Sequence, residues 1–145
     1  NMAITSAICN SFKQEILEAE HNFTASTGNT FNLALYDSDA TLNKSTTVYT
    51  TSEELATTGG YTAKGNALTS VTPTLDSDTA VCDFSNTSWT SASFTARGCL
   101  IFNDSHASDA AVCAIDFGGD KTVTSGTFTV EFPAAAASTA IIQIA

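Results

Sequence analysis

A chain of 145 residues is the length of one domain. It can bury roughly two thirds of the surface its unfolded form exposes, so it needs no staple to fold. Its formal charge of −10 sets 15 acids against Lys13, Lys44, Lys64, Arg97 and Lys121; those five do not cluster, which excludes a grip on nucleic acid, where a basic footprint is required.

Asn1 precedes Met2, which predicts Met2 as the natural start. Lys13 and Glu15 interrupt the first apolar residues early, so neither a signal peptide nor a membrane span is expected and the chain reads as soluble. Residues 4–19 are predicted as the one helix. Ile4, Ile8, Phe12 and Ile16 recur every four, Cys9 and Leu17 widen the stripe, and Lys13, Gln14, Glu15 and Glu18 take the other side. Thr5 or Ser6 can cap it. Such an amphipathic element lays one face on its own sheet or on a neighbouring subunit.

Strands are expected at 30–36, where Phe31, Leu33 and Leu35 share a face, at 48–49, at 66–72 and at 80–84. Residues 52–55 read as a helical turn before Gly59-Gly60, and Pro73 as a break. Beyond Trp89, apolar runs at 94–102, 111–117 and 128–132 predict a three-stranded antiparallel meander, its two loops rich in Ser, Asp and Gly. The last run alternates polar and apolar side chains, so one of its faces is wet. Pro133 and four alanines read as a turn into a final strand at 140–145. Thr and Ser supply 40 residues, and Thr with Val, Phe, Tyr and Ile is the vocabulary of half-buried sheet surfaces. Eight or nine strands then make residues 1–145 a single mainly β domain: a two-layer antiparallel sandwich, Greek-key or jelly-roll-like, with one N-terminal helix.

No constellation specifies a reaction. Cys9, Cys82, Cys99 and Cys113 lack the close pairs of a zinc site and read as small buried hydrophobes. Cys99 and Cys113 lie on successive strands at an even separation, so a hairpin pairing them as a disulfide is geometrically open. Asp37 with Asp39, and Asp76 with Asp78, form two Asp-Ser-Asp loops at a spacing calcium tolerates; solvated acidic loops are the plainer reading, and no metal or other cofactor is expected. His21 and His106 read as solvated, and no pair of glutamates stands out for glycoside cleavage. Asp116-Phe117-Gly118 reads as a strand ending in a glycine turn. Trp89, Tyr36, Tyr49 and Tyr61 are either core or a platform for a sugar. Four sequons, at Asn22, Asn43, Asn86 and Asn103, are what a chain rich in Ser and Thr produces by chance.

The strings MAITSAICNSFKQEILEAEHNF, GNTFNLALYDSDATL, GGYTAKGNALTSVTP, TARGCLIFN, AIDFGGDKT, GTFTVEFP and AIIQIA cover nearly the whole chain. Together they resemble a family of small uncharacterised or virion structural proteins of tailed bacteriophages. That resemblance implies a non-enzymatic virion component made in a bacterial cytoplasm, most plausibly a head decoration or capsid-associated subunit, with tail placement behind it. Its partners would be copies of itself, in a homo-oligomer or lattice, and other virion proteins such as the major capsid protein. An adhesive sugar-binding module and a subunit of an extracellular filament stand as alternatives. The residues expected to carry assembly lie at the two ends: Ile4, Ile8, Phe12 and Ile16 in the helix, and Ile141, Ile142 and Ile144 in the last strand.

Overall fold

Two antiparallel sheets and one short helix make up the computed structural model, which describes residues 3–145; the expectation about Asn1 and Met2 lies outside the described residues. The strands are β1 (Ala7–Ile8), β2 (Phe31–Tyr36), β3 (Asn66–Ala67), β4 (Ser70–Asp76), β5 (Thr79–Phe84), β6 (Thr87–Asn103), β7 (Ala111–Val130) and β8 (Ile142–Ile144). Sheet one runs β1-β7-β6-β2-β3 and sheet two β4-β5-β8. The chain crosses between the sheets after β3, β5 and β7, which makes the expected two-layer sandwich.

The helix α1 is Asn10–Leu17, shorter than the predicted 4–19. Residues ahead of it pair as strand: Ile4 bridges Leu42, and β1 sets Ala7 opposite Ala114 and Ile8 opposite Cys113. Their donors are satisfied across the chain, Thr5 N–H by the Leu42 carbonyl at 2.8 Å and Cys9 N–H by that of Val112 at 2.9 Å, so no helical bond is needed there. Neither Thr5 nor Ser6 caps α1. Cys9 holds the extended cap position, and the Ser6 hydroxyl instead accepts the Asp116 N–H at 2.8 Å.

The predicted meander is one long hairpin. β6 and β7 pair from Thr87 opposite Val130 to Phe102 opposite Ala111, so the runs at 111–117 and 128–132 belong largely to one strand. The register passes from Gly98 opposite Asp116 to Ala96 opposite Lys121, which leaves Arg97 facing the four residues from Phe117 to Asp120. Gly118, at φ 82, is therefore part of a wide bulge and not a turn, and Arg97 Nε reaches across it to Asp120 at 2.9 Å. The far part of β7 alternates as expected, with Phe128 and Val130 turned in and Thr127 and Thr129 out.

β2 is buried on both faces, because β6 and β3 flank it within the sheet and side chains cover both sides. Pro73 does not end a strand. It sits inside β4, an edge strand, where the register slips between Val71 and Thr74 and no N–H is missed. The run 66–72 divides instead at Leu68, β3 joining sheet one and β4 sheet two. Val48 makes a single bridge to Ala110, and residues 52–55 form a turn, with Glu53 at φ 62 and Glu54 bridged to Tyr36. Gly65 is required by packing: a Cβ there would meet the Leu33 carbonyl oxygen of β2 at 1.8 Å.

Phe23, Phe31, Phe84 and Phe132 stack between the sheets, Phe23 against Phe31 at 4.2 Å, and Phe12 of α1 joins them edge-on to Phe23. Trp89, Tyr61, Phe94 and Phe128 form a second group along the hairpin. Among the described residues no helix is long and apolar enough to cross a membrane.

Candidate functional site

Six of the seven residues expected to carry assembly line one apolar groove of about 730 Å³ between α1 and sheet two: Ile8, Phe12, Ile16, Ile141, Ile142 and Ile144. The pairing of Ala80 with Ile144 and of Cys82 with Ile142 sets these four side chains on one face of sheet two, which forms the floor. Phe12, Ile16 and Leu17 of α1 form the opposite wall, with Pro73 closing one side. Lys13, His21 and Cys82 are the titratable residues of the lining. Leu17 is 88% exposed and Ile144 59%, so large apolar side chains project at the rim as well as line the interior. Ile4 is the exception. It is buried under Gly98, where an added Cβ would meet its Cδ1 at 2.7 Å, and so belongs to the domain's own core.

The two edges of sheet two differ. β4 carries Pro73 and a register slip, both of which discourage a further strand, whereas β8 pairs with β5 on one side and carries no such device.

Of the calcium candidates, Asp37 and Asp39 meet Glu53, which the sequence did not point to, with ligand oxygens within 4.8 Å of one another. Asp37 Oδ1 accepts the Asp39 N–H at 2.9 Å, and its charge holds the Glu53 carboxyl above its usual range. Asp76 and Asp78 do not join them. The Asp76 carboxylate accepts the Ala137 N–H at 2.7 Å and so ties down the turn before β8.

The disulfide is corrected by the register. Cys99 faces Ile115 and Cys113 faces Ile101, two positions out of step, and all four cysteines are buried free thiols. Burial pushes the Cys9 thiol up to about 11 and Cys82 to about 12, and raises Cys99 and Cys113 further in the same direction.

His21 is buried, contrary to expectation. Its Nδ1 accepts an N–H of the Asn103 side chain at 3.0 Å, and its Nε2 lies 3.0 Å from Glu15. His106 meets Glu20 at 2.6 Å. Asn103 is fully buried in this network, which removes its sequon from any surface.

Three of the four aromatic candidates for a platform lie below the surface, and Tyr49 is half-buried. Trp89 is 4% exposed, Tyr61 2%, and Tyr36 fully buried. Tyr49 and Tyr61 both donate to Glu54, the latter at 2.5 Å, while Lys64 N–H donates to the same carboxylate at 2.7 Å. Tyr61 also accepts the Leu35 N–H at 3.0 Å, so the cluster clamps the loop after β2 onto that strand. Tyr49, Glu54, Tyr61 and Lys64 are near one another in sequence, but nothing local says that the three donors converge on Glu54 or that Tyr61 reaches back to Leu35. Set against protein-family models, curated proteins and solved structures, the chain has no match in any of the three comparisons.

Proposed function

We propose that this chain is a structural subunit of a tailed-phage particle, a head decoration or capsid-associated protein that assembles with copies of itself and with other virion proteins such as the major capsid protein. The observation that carries the reading is the groove between α1 and sheet two, where six of the seven residues expected to join subunits come together. Its occupant in this reading is a second copy of the chain. Leu17 projects from the rim of the same groove it helps to line, so two copies related by a two-fold axis can each insert Leu17 into the other's groove. A knob beside its own hole is the self-complementary arrangement an isologous interface demands. The open edge of β8 supports the same axis, since a strand pairs antiparallel with its own copy without any second sequence. Burial of Trp89, Tyr36 and Tyr61 weighs against the adhesive reading, which needs a stacking surface.

Light scattering on the purified chain, with Leu17→Asp and Ile144→Asp together as the variant, tests it. Burying each apolar side chain is worth about 1.5–3 kcal/mol per copy, so the double variant should weaken association by at least about 100-fold. Both positions are exposed in the single chain, so the variant should melt where the parent melts once diluted to monomer. A monomeric parent at roughly 100 μM, weaker than such a joint requires, or a variant that still associates, would overturn the groove as the joint. Immunogold labelling of purified particles tests the placement.

A further inference from the structure

We infer that Glu15, Glu20 and His106 form a binding site for one divalent ion of the zinc class, which ties the segment following α1 to the loop between β6 and β7. One carboxylate oxygen from each glutamate and a ring nitrogen of His106 lie within 4.8 Å of one another, although His106 is far from the other two in sequence. Ligands around one such ion at about 2.1 Å sit roughly 3–4 Å apart. His106 Nε2 and Glu20 Oε1, now 2.6 Å apart, must open by about an ångström to admit the ion, and both side chains are partly exposed.

Charge points the same way. Two carboxylates converge here, and among the described residues the salt bridges of Lys64 and Arg97 go to other acids, to Asp104 and Asp109 and to Asp120. The ion-pair partners of the two glutamates are imidazoles, and Glu18 lies against Glu20 as a third acid. A divalent cation cancels that excess, and the mixed nitrogen and oxygen donor set selects zinc-like ions over calcium or magnesium, which prefer oxygen alone.

A buried support holds the first ligand. Asn103 donates to His21 Nδ1 and is itself held by Asn29 Oδ1 at 3.1 Å, so the proton of the neutral His21 ring sits on Nε2 and points at Glu15 Oε1. Glu15 is thus oriented by a hydrogen bond from outside the site, the arrangement in which outer partners orient metal ligands. His106 is held more loosely. Its Nδ1 accepts the Ser108 N–H at 3.1 Å in an exposed loop, and its Nε2 proton faces Glu20. Binding places the ion on Nε2, the ring's one proton moves from Nε2 to Nδ1, and the Ser108 bond is given up.

The test is calorimetric titration of the full chain, with its thiols kept reduced, using zinc chloride alone. Expected are one ion per chain, a micromolar or tighter dissociation constant, and a melting temperature that climbs with zinc concentration. His106→Gln and Glu20→Gln should each weaken binding by about 100-fold, the upper end of what even outer-shell changes cost. Glu53→Gln, in the other carboxylate cluster, should leave binding unchanged. Cadmium NMR on the parent should give a resonance in the nitrogen and oxygen range. No saturable binding, equal binding by His106→Gln, or a thiolate-range cadmium signal would each overturn the site. The metal-free melt of each variant separates lost binding from lost folding.

Discussion

Replacing Tyr61 with Phe removes one oxygen atom and two bonds of different kinds. The hydroxyl donates to the Glu54 carboxylate at 2.5 Å, a charge-assisted bond worth about 1.5–3 kcal/mol. The same oxygen accepts the Leu35 N–H at 3.0 Å, and Leu35 is fully buried in β2, so water cannot replace the lost acceptor. An orphaned buried N–H costs about 1–3 kcal/mol. With some relaxation of the loop the total comes to about 3 kcal/mol, which for a chain of this length lowers the melting temperature by roughly 10 °C. Tyr49→Phe loses only its bond to Glu54 from a half-buried position and should cost about half as much. Burial, with Glu54 adding to it, raises the Tyr61 hydroxyl far above its ordinary value. The stability it gives is therefore complete below the ordinary tyrosine range and is lost as pH rises beyond it. Urea unfolding of the parent and both variants, at neutral pH and again in the alkaline range, measures all three effects. A cost for Tyr61→Phe below about 1 kcal/mol would refute the clamp as a stabilising element.

Asp83 is 1% exposed, with Oδ1 accepting the Phe84 N–H at 2.9 Å and Oδ2 unpaired, and burial raises its carboxyl above the usual range. The folded chain therefore keeps that proton to a higher pH than the unfolded one, and its contribution falls as pH rises from the ordinary aspartate range through the raised value. Asp83→Asn should raise neutral-pH stability by about 1 kcal/mol and remove that slope, as thermal melts across pH 3 to 8 would reveal. Alkylation followed by mass spectrometry should find no modified cysteine in the folded chain and four after denaturation, since every thiol is buried with its thiolate disfavoured. Deleting residues 3–17 strips β1 from β7 and Phe12 from the core, so circular dichroism should report an unfolded chain and not a folded monomer.

The class of fold was legible because composition and alternation speak directly of sheet, and β5, β8 and the heart of β2 fall where the pattern put them. The misreadings share a physical cause. Ile4 and Ile8 are four apart, an interval that keeps one face in a helix and, being even, also in a strand, so periodicity could not tell them apart. Gly118 and Gly119 have the chemistry of a turn, yet a wide bulge asks for the same freedom of φ. The groove's far wall was partly visible as two separate apolar stretches, but nothing local says they face each other. The burial of His21 and the gathering of Glu15, Glu20 and His106 depend on Asn103 and Asn29 arriving from elsewhere, which no window of sequence contains.

The pairing order of sheet one bears on how quickly the chain reaches this state. β6 and β7 are neighbours in sequence and can zip from the loop between them, but β2 must find β6 across β3, β4 and β5, and β1 must find β7 from near the opposite end. Closing such long loops is entropically slow, and chains dominated by distant pairings fold in milliseconds to seconds and not microseconds. β1 and β8 dock on strands that the hairpin and the second sheet must first supply, so they are expected to arrive late. The residues they carry, Ile8, Ile142 and Ile144, are the ones that finish the groove. In the assembly proposed above, a newly made chain would therefore have nothing to offer a partner until its own folding was complete, and half-made subunits would be kept out.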